Sequence, residues 1–205
     1  MPDLLLYTNP MSRGRIARIM LEEIGEEYEV SHVDFDAPRA DAHLAANPMG
    51  KVPTLVHGQT SVSEAAAIGA YLADAFADAG MAPPPGQRGA YYKWLFFGAG
   101  PVEQAVTLKG LDMLPGEDKA QTVGFGTHAR VMDTLEAGMP QGDAWIAGKT
   151  FTMADVYIGA QIGWGLQFGT MEARPGFQRY VERCNSRPAC VRATKLDDAL
   201  MPAHD

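Results

Sequence analysis

The stretch "NPMGKVPTL", residues 47–55, decides how this chain is read. Proline has no backbone N–H, so Pro53 belongs at a strand start, an edge or a turn, not inside a ladder. Yet it stands within "KVPTLV", a run of strand character, with Gly50 and Lys51 just before it. Such a placement asks for a special backbone geometry at Val52–Pro53, with a cis bond among the candidates.

Upstream, "DLLLYT" (3–8) reads as a short buried strand. In "SRGRIARIMLEEIG" (12–25), Ile16, Ile19, Met20 and Ile24 recur at helical spacing and Gly25 is the stop. "EYEVSHVDF" (27–35) is a second strand, and "RADAHLAAN" (39–47) a short helical stretch closed by Asn47–Pro48. Downstream, "VPTLVHG" and "TSVSE" make a hairpin around His57–Gly58–Gln59. "SEAAAIGAYLADAFADAG" (63–80) is a strong helix with Ala65, Ile68, Leu72, Ala75 and Phe76 on one face. Residues 1–79 therefore read strand-helix-strand-helix-strand-strand-helix. In that α/β layer the crossover helices imply parallel pairing and the final hairpin an antiparallel edge.

"GMAPPPGQRG" (80–89) is a linker stiffened by consecutive prolines. Past it no strand signal recurs. "AYYKWLFFGAGPVEQAVTLKGL" (90–111) predicts a helix bent at Gly98–Pro101, and "EDKAQTVGFGTHARVMDTLEAG" (117–138) predicts the next. "TMADVYIGAQIGWGLQF" (152–168), apolar nearly all round, predicts a central buried helix. Thr152 and Asp155 form a T-x-x-D capping pattern at its start. "FQRYVERCNSRP" and "ACVRATKLDDAL" close the chain.

A chain of 205 residues buries a core without staples. Its formal net charge of −8 argues against a nucleic-acid surface, which wants a basic stripe. Cys184 and Cys190 have neither redox nor zinc spacing, and the five histidines are scattered, so no metal is expected. "MPDLLLYTNP" has no early Lys or Arg, which predicts no secretory leader, and no run reaches the ~18 apolar residues of a membrane span. A reducing, cytoplasmic setting is the expectation.

Together, N-P-x-G-x-V-P at 47–53, Ser63–Glu64 ahead of an Ala-rich helix, the Pro linker and an all-helical half resemble the soluble glutathione transferases, of a bacterial, serine-like class. The resemblance covers essentially the whole chain. "NPMGKVPTL" and "SEAAAIGAYLAD" match that family's two glutathione-binding segments. "FTMADVYIG" (151–159) matches its helical-domain folding motif, and Arg187–Pro188 its late-helix ending. The implied fold is α/β plus all-α. A thioredoxin-like, glutathione-binding domain spans 1–79, the linker 80–89, and an all-helical domain carrying the electrophile site 90–205.

The resemblance also implies glutathione as co-substrate and residues to hold it. The Val52–Pro53 bond would be cis, with the N–H and C=O of Val52 pairing with the cysteinyl part in strand fashion. Pro53, which cannot donate, need not. Glu64 would bind the γ-glutamyl ammonium group. At the next position, usually Ser or Thr, stands Ala65, which keeps the helix-terminal N–H for the γ-glutamyl carboxylate but lacks the hydroxyl. Lys51 would reach the glycyl carboxylate.

The chemistry implied is attack by a thiol, and only the thiolate attacks well, so a site must favour the anion. The family places its donor in the segment matching "YTNPMSRGR" (7–15). Ser12 ranks first, with N-capping as its competing role. Asn9 ranks second and Tyr7 third. Arg13 either adds positive charge or is a solvated arginine. No cysteine lies here, which counts against a mixed-disulfide branch. "YYKWLFF" (91–97), Met113, Trp164 and Phe168 offer apolar surface to a second substrate. The expectation is a homodimeric glutathione transferase acting on a small apolar electrophile, with no nucleic-acid or membrane partner. The alternatives are an isomerase, dehalogenase or lyase on the same scaffold, or a non-catalytic binding or regulatory relative.

Overall fold

A computed structural model describes residues 3–201 of the chain. Its first strand, β1 (Leu4–Thr8), is buried at every position but Leu5. β1 is interior to a four-stranded sheet of order β2-β1-β3-β4, and a strand covered on both faces needs no apolar alternation. β2 (Glu29–His32) runs parallel to β1, whereas β3 (Thr54–His57) is antiparallel to it and β4 (Thr60–Ser63) antiparallel to β3. The parallel pairing expected from the crossovers thus holds for β1 and β2 alone. After α2 (Asp41–Ala46) the chain turns at the C-terminal end of β1 and starts β3 there, with Thr54 opposite Tyr7.

Residues 3–81 and 186–201 make one unit, and residues 82–185 a second. In the first, α1 (Gly14–Ile24) buries Ile16, Ala17, Met20, Leu21 and Ile24; of the residues its sequence period marks out, Ile19 is only half-buried. Full burial of one such large side chain contributes about 1.5–3 kcal/mol. The helix ends at Gly25, whose φ of +77° suits glycine and whose N–H returns to the Leu21 carbonyl. α3 (Ala65–Ala75) packs on α1, β3 and β4 and buries Ala65, Ala66, Ile68, Gly69, Leu72 and Ala73.

The last helix, α9 (Pro188–Asp198), packs on α1 and belongs to this first unit, where the sequence grouped everything past residue 90 with the helical half. Buried Ala189, Cys190 and Ala193 and a row of ion pairs accompany this packing. Arg18 Nε lies 3.0 Å from Asp197 Oδ1, both side chains buried, and Arg187 grips Glu23 with two bonds of 2.6 Å. Arg192–Glu22 and Arg15–Asp198 complete the seam at 2.9 and 2.6 Å.

In the second unit, α4 (Gly89–Phe97) runs through a π-helical turn, Gly98–Val102, into α5 (Glu103–Gly110). The expected bend at Gly98–Pro101 is this turn, a common way for a helix to absorb a distortion. The helix expected over 117–138 is shorter. α6 (His128–Ala137) starts only after Gly126, at φ +73°, and Thr127, whose side chain caps Arg130 N–H at 3.2 Å. A single 3-10 turn, Glu117–Lys119, occupies the front of that stretch.

α7 (Met153–Gln167) opens with the capping box formed by Thr152 and Asp155 and is buried continuously from Met153 to Gly159. Asp155 Oδ2 accepts from Thr152 N–H and Oγ1–H, both at 2.9 Å. Its Oδ1 accepts from Ile146 N–H at 2.8 Å and Tyr180 O–H at 2.7 Å. α8 (Pro175–Asn185) supplies Tyr180. Cys184 and Cys190 are both buried, and burial pushes the Cys190 thiol up.

Candidate functional site

Three short segments share one end of the sheet. The register sets Tyr7 of β1 opposite Thr54 of β3, and Thr54 opposite Ser63 of β4. The loop leaving β1, with Asn9 and Ser12, the turn before β3, with Lys51, Val52 and Pro53, and the step from β4 into α3, with Glu64 and Ala65, therefore lie at that end.

The Val52–Pro53 bond is cis. Pro53 is buried, Val52 half-buried and Lys51 exposed. Among the described residues, neither the N–H nor the C=O of Val52 has a hydrogen-bond partner within the chain. Gly50 has φ +59°, which favours glycine, and a Cβ there would press on the Arg39 and Leu44 side chains at 3.1 and 3.3 Å.

Glu64 is exposed and sits at φ +69°, ψ 117°. That backbone is unfavourable for a side-chain-bearing residue by about 1–3 kcal/mol, and such residues collect at functional sites. α3 follows at once, and no side chain caps it. Its first-turn amides, Ala65 foremost, form the positive end of the helix dipole.

In the β1 loop, Ser12 Oγ donates to the Asn9 carbonyl at 2.7 Å and accepts from Gly14 N–H at 3.0 Å. The helix begins at Gly14 with Arg13 as its N-cap residue, so Ser12 braces the turn one residue earlier than a cap would. Asn9 is buried and used at both ends: Nδ2 donates to the Val33 carbonyl at 2.9 Å, and Oδ1 accepts from Met11 N–H at 2.8 Å. Tyr7 is buried in β1, its ring stacked on His43 with centroids 4.6 Å apart. Arg13 is exposed. Of the sequence candidates for a thiolate donor, Ser12 alone combines a hydroxyl with partial exposure.

In the second unit, Tyr92, Phe96, Met113 and Phe168 are exposed, while Tyr91 and Trp94 are core. Among the described residues no group of three or more His, Cys, Asp and Glu is arranged to hold a metal, and no helix is long and apolar enough to cross a membrane.

The chain matches two family models, the N-terminal domain of glutathione S-transferase over residues 2–74 and the C-terminal domain over residues 92–188. It belongs to the glutathione S-transferase family. Glutathione S-transferase GstA of Escherichia coli O157:H7 is 27% identical over 202 residues, 95% of this chain and 96% of that protein. Among solved structures, a glutathione transferase from Methylococcus capsulatus superposes with a TM-score of 0.78 at 26% identity, over 96% of this chain and 99% of the other. A sphingomonad glutathione S-transferase complexed with glutathione superposes with a TM-score of 0.76 at 25% identity, over 95% and 98%. In this glutathione S-transferase fold the sheet with its helices is the thioredoxin-like part, and the helical C-terminal domain follows.

The structure adds residues to which the sequence patterns assigned no role. His43, buried on α2, places Nε2 3.1 Å from the Lys51 carbonyl oxygen. Thr54 Oγ1 and Asn47 Nδ2 reach the same oxygen at 2.9 and 3.2 Å, and Arg39 Nε reaches the Gly50 carbonyl at 3.0 Å. α2 is a six-residue, Ala-rich helix with no apolar stripe to flag its single buried residue, His43.

Proposed function

We propose that this chain binds glutathione in its first unit and activates the thiol for attack on a small, apolar electrophile, as a glutathione transferase. The observation that carries the proposal is Val52, whose N–H and C=O have no partner among the described residues beside the cis bond to Pro53. An extended peptide is held by such a pair in the manner of an added strand. The cysteinyl residue of glutathione is that strand. The uncapped amides at Ala65 hold the γ-glutamyl carboxylate, Glu64 the γ-glutamyl ammonium group, and Lys51 the glycyl carboxylate.

Ser12 donates to the thiolate. It does so by turning its hydroxyl from the Asn9 carbonyl, while the Gly14 N–H continues to brace its oxygen. A hydrogen bond to the charged form lowers the thiol pKa, which raises the fraction of nucleophile at neutral pH. Asn9 supports the loop that carries Ser12. The second substrate is a small apolar electrophile, and the working form is a cytoplasmic homodimer.

A second reading has specific support. The Ser12 proton is engaged by the Asn9 carbonyl and Ala65 lacks a hydroxyl, a combination that suits a relative that binds glutathione without activating it. The thiolate would equally serve an isomerase, dehalogenase or lyase. Calorimetric titration with glutathione, the thiol pKa of the bound molecule and turnover with a chlorodinitrobenzene separate these. Binding with a lowered pKa and turnover supports the transferase, a lowered pKa without turnover the isomerase, dehalogenase or lyase, binding with an ordinary pKa the second reading, and absence of binding contradicts all of them.

A further inference from the structure

We propose that Thr54, with His43 and Asn47, is a positioning residue that aims the Val52 N–H at its ligand. This rests on the glutathione reading above. Residues 50–53 lie outside the ladders of the sheet, so hydrogen bonds of regular structure do not hold them. A turn bond from Gly50 N–H to the Asn47 carbonyl at 2.8 Å holds the start of the segment, and side chains hold the Gly50 and Lys51 carbonyls. The Lys51 carbonyl oxygen accepts from Thr54 Oγ1 at 2.9 Å, His43 Nε2 at 3.1 Å and Asn47 Nδ2 at 3.2 Å. A carbonyl oxygen has two lone pairs, and three donors over-determine its direction. The oxygen only accepts, so Nε2 is the nitrogen of His43 that carries the hydrogen.

The donors are themselves fixed. Thr54, His43 and Asn47 are all buried. Asn47 Nδ2 also donates to Thr54 Oγ1 at 3.0 Å, so the threonine hydroxyl accepts one bond and donates another. Asn47 Oδ1 accepts from Met49 N–H at 3.1 Å, and the His43 ring lies on Tyr7. One peptide upstream, Arg39 Nε holds the Gly50 carbonyl.

The consequence follows from the planarity of the peptide unit. The C=O of Lys51 and the N–H of Val52 belong to one plane and point in opposite directions across a trans bond. Fixing the carbonyl inward fixes the N–H outward. Thr54 thereby prepares a donor for a ligand it does not touch, and the ordering is done before binding, which is how preorganisation raises affinity.

The test compares wild type, Thr54→Val and Thr54→Ser for glutathione affinity by calorimetry, for the thiol pKa of bound glutathione, and for melting temperature. Valine keeps the branched shape and removes the hydroxyl; serine keeps the hydroxyl and removes the methyl. Thr54→Val is expected to bind about fivefold more weakly, the weight of one neutral hydrogen bond, with the bound thiol pKa unchanged. Thr54→Ser is expected to bind like wild type whatever its melting temperature. Equal binding by all three proteins, or binding that tracks melting temperature instead of the hydroxyl, overturns the positioning role and leaves the glutathione reading intact. Absence of glutathione binding by wild type removes both.

Discussion

Asp155→Ala is the substitution whose effect follows most directly from counted contacts. The carboxylate is fully buried and accepts from Ile146 N–H, Thr152 N–H, Thr152 Oγ1–H and Tyr180 O–H. The Thr152 hydroxyl can rotate to another acceptor, whereas the other donors are left facing a methyl group. Each unsatisfied buried donor costs about 1–3 kcal/mol. Relief from burying a charge offsets part of this, so a net loss of about 3–5 kcal/mol is expected. For a chain of this length each kcal/mol moves the midpoint by about 2–4 °C, giving a fall of roughly 6–20 °C. Trp94, Trp145 and Trp164 are the chain's three tryptophans, and all lie in residues 82–185, so their fluorescence on heating reports the unit that contains Asp155. Asp155→Asn should fall between. Its amide oxygen still serves Ile146 and Tyr180, but its NH2 group opposes the Thr152 N–H. A fall of less than about 2 °C for the alanine variant, or an asparagine variant worse than alanine, would refute the reasoning.

Other substitutions test the remaining structure. Asp197→Ala strands a buried Arg18 and should destabilise by about 3–5 kcal/mol, while Arg18→Met with Asp197→Leu should recover most of that loss; chemical denaturation measures both. Ala65→Ser adds a hydroxyl at the first turn of α3 and should tighten glutathione binding at least roughly tenfold, the worth of a charge-assisted hydrogen bond, as read by calorimetry.

Much of the fold was legible because its signals are local. Apolar periods marked α1 and α3, the all-round apolar run marked α7, and Thr152–Asp155 marked the capping box. What escaped was non-local. The antiparallel turn of β3 onto β1 depends on where the 47–53 segment reverses, and the return of α9 to α1 depends on packing and ion pairs between residues more than 160 positions apart. The shortened α6 is a different case. Gly126 and Thr127 were visible, but amphipathic residues on either side masked the boundary they set.

At the site, the sequence motif marked Val52, Glu64 and Ala65, and the register shows why segments so far apart share one end of the sheet. The support beneath them was hidden. Asn47 and Thr54 stood inside the 47–55 stretch without a role of their own, and His43 read only as part of a short helix. Their shared acceptor is a backbone carbonyl, which carries no sequence signal.

The measurement to make first is the thiolate absorbance of protein-bound glutathione against pH, in wild type and Ser12→Ala. Ionisation in wild type well below the ~8.5 of an unperturbed thiol, returned toward that value in Ser12→Ala, is the result expected if Ser12 activates glutathione held at Val52. Glutathione that binds wild type with its ordinary thiol pKa, or an equal shift in both proteins, would contradict it.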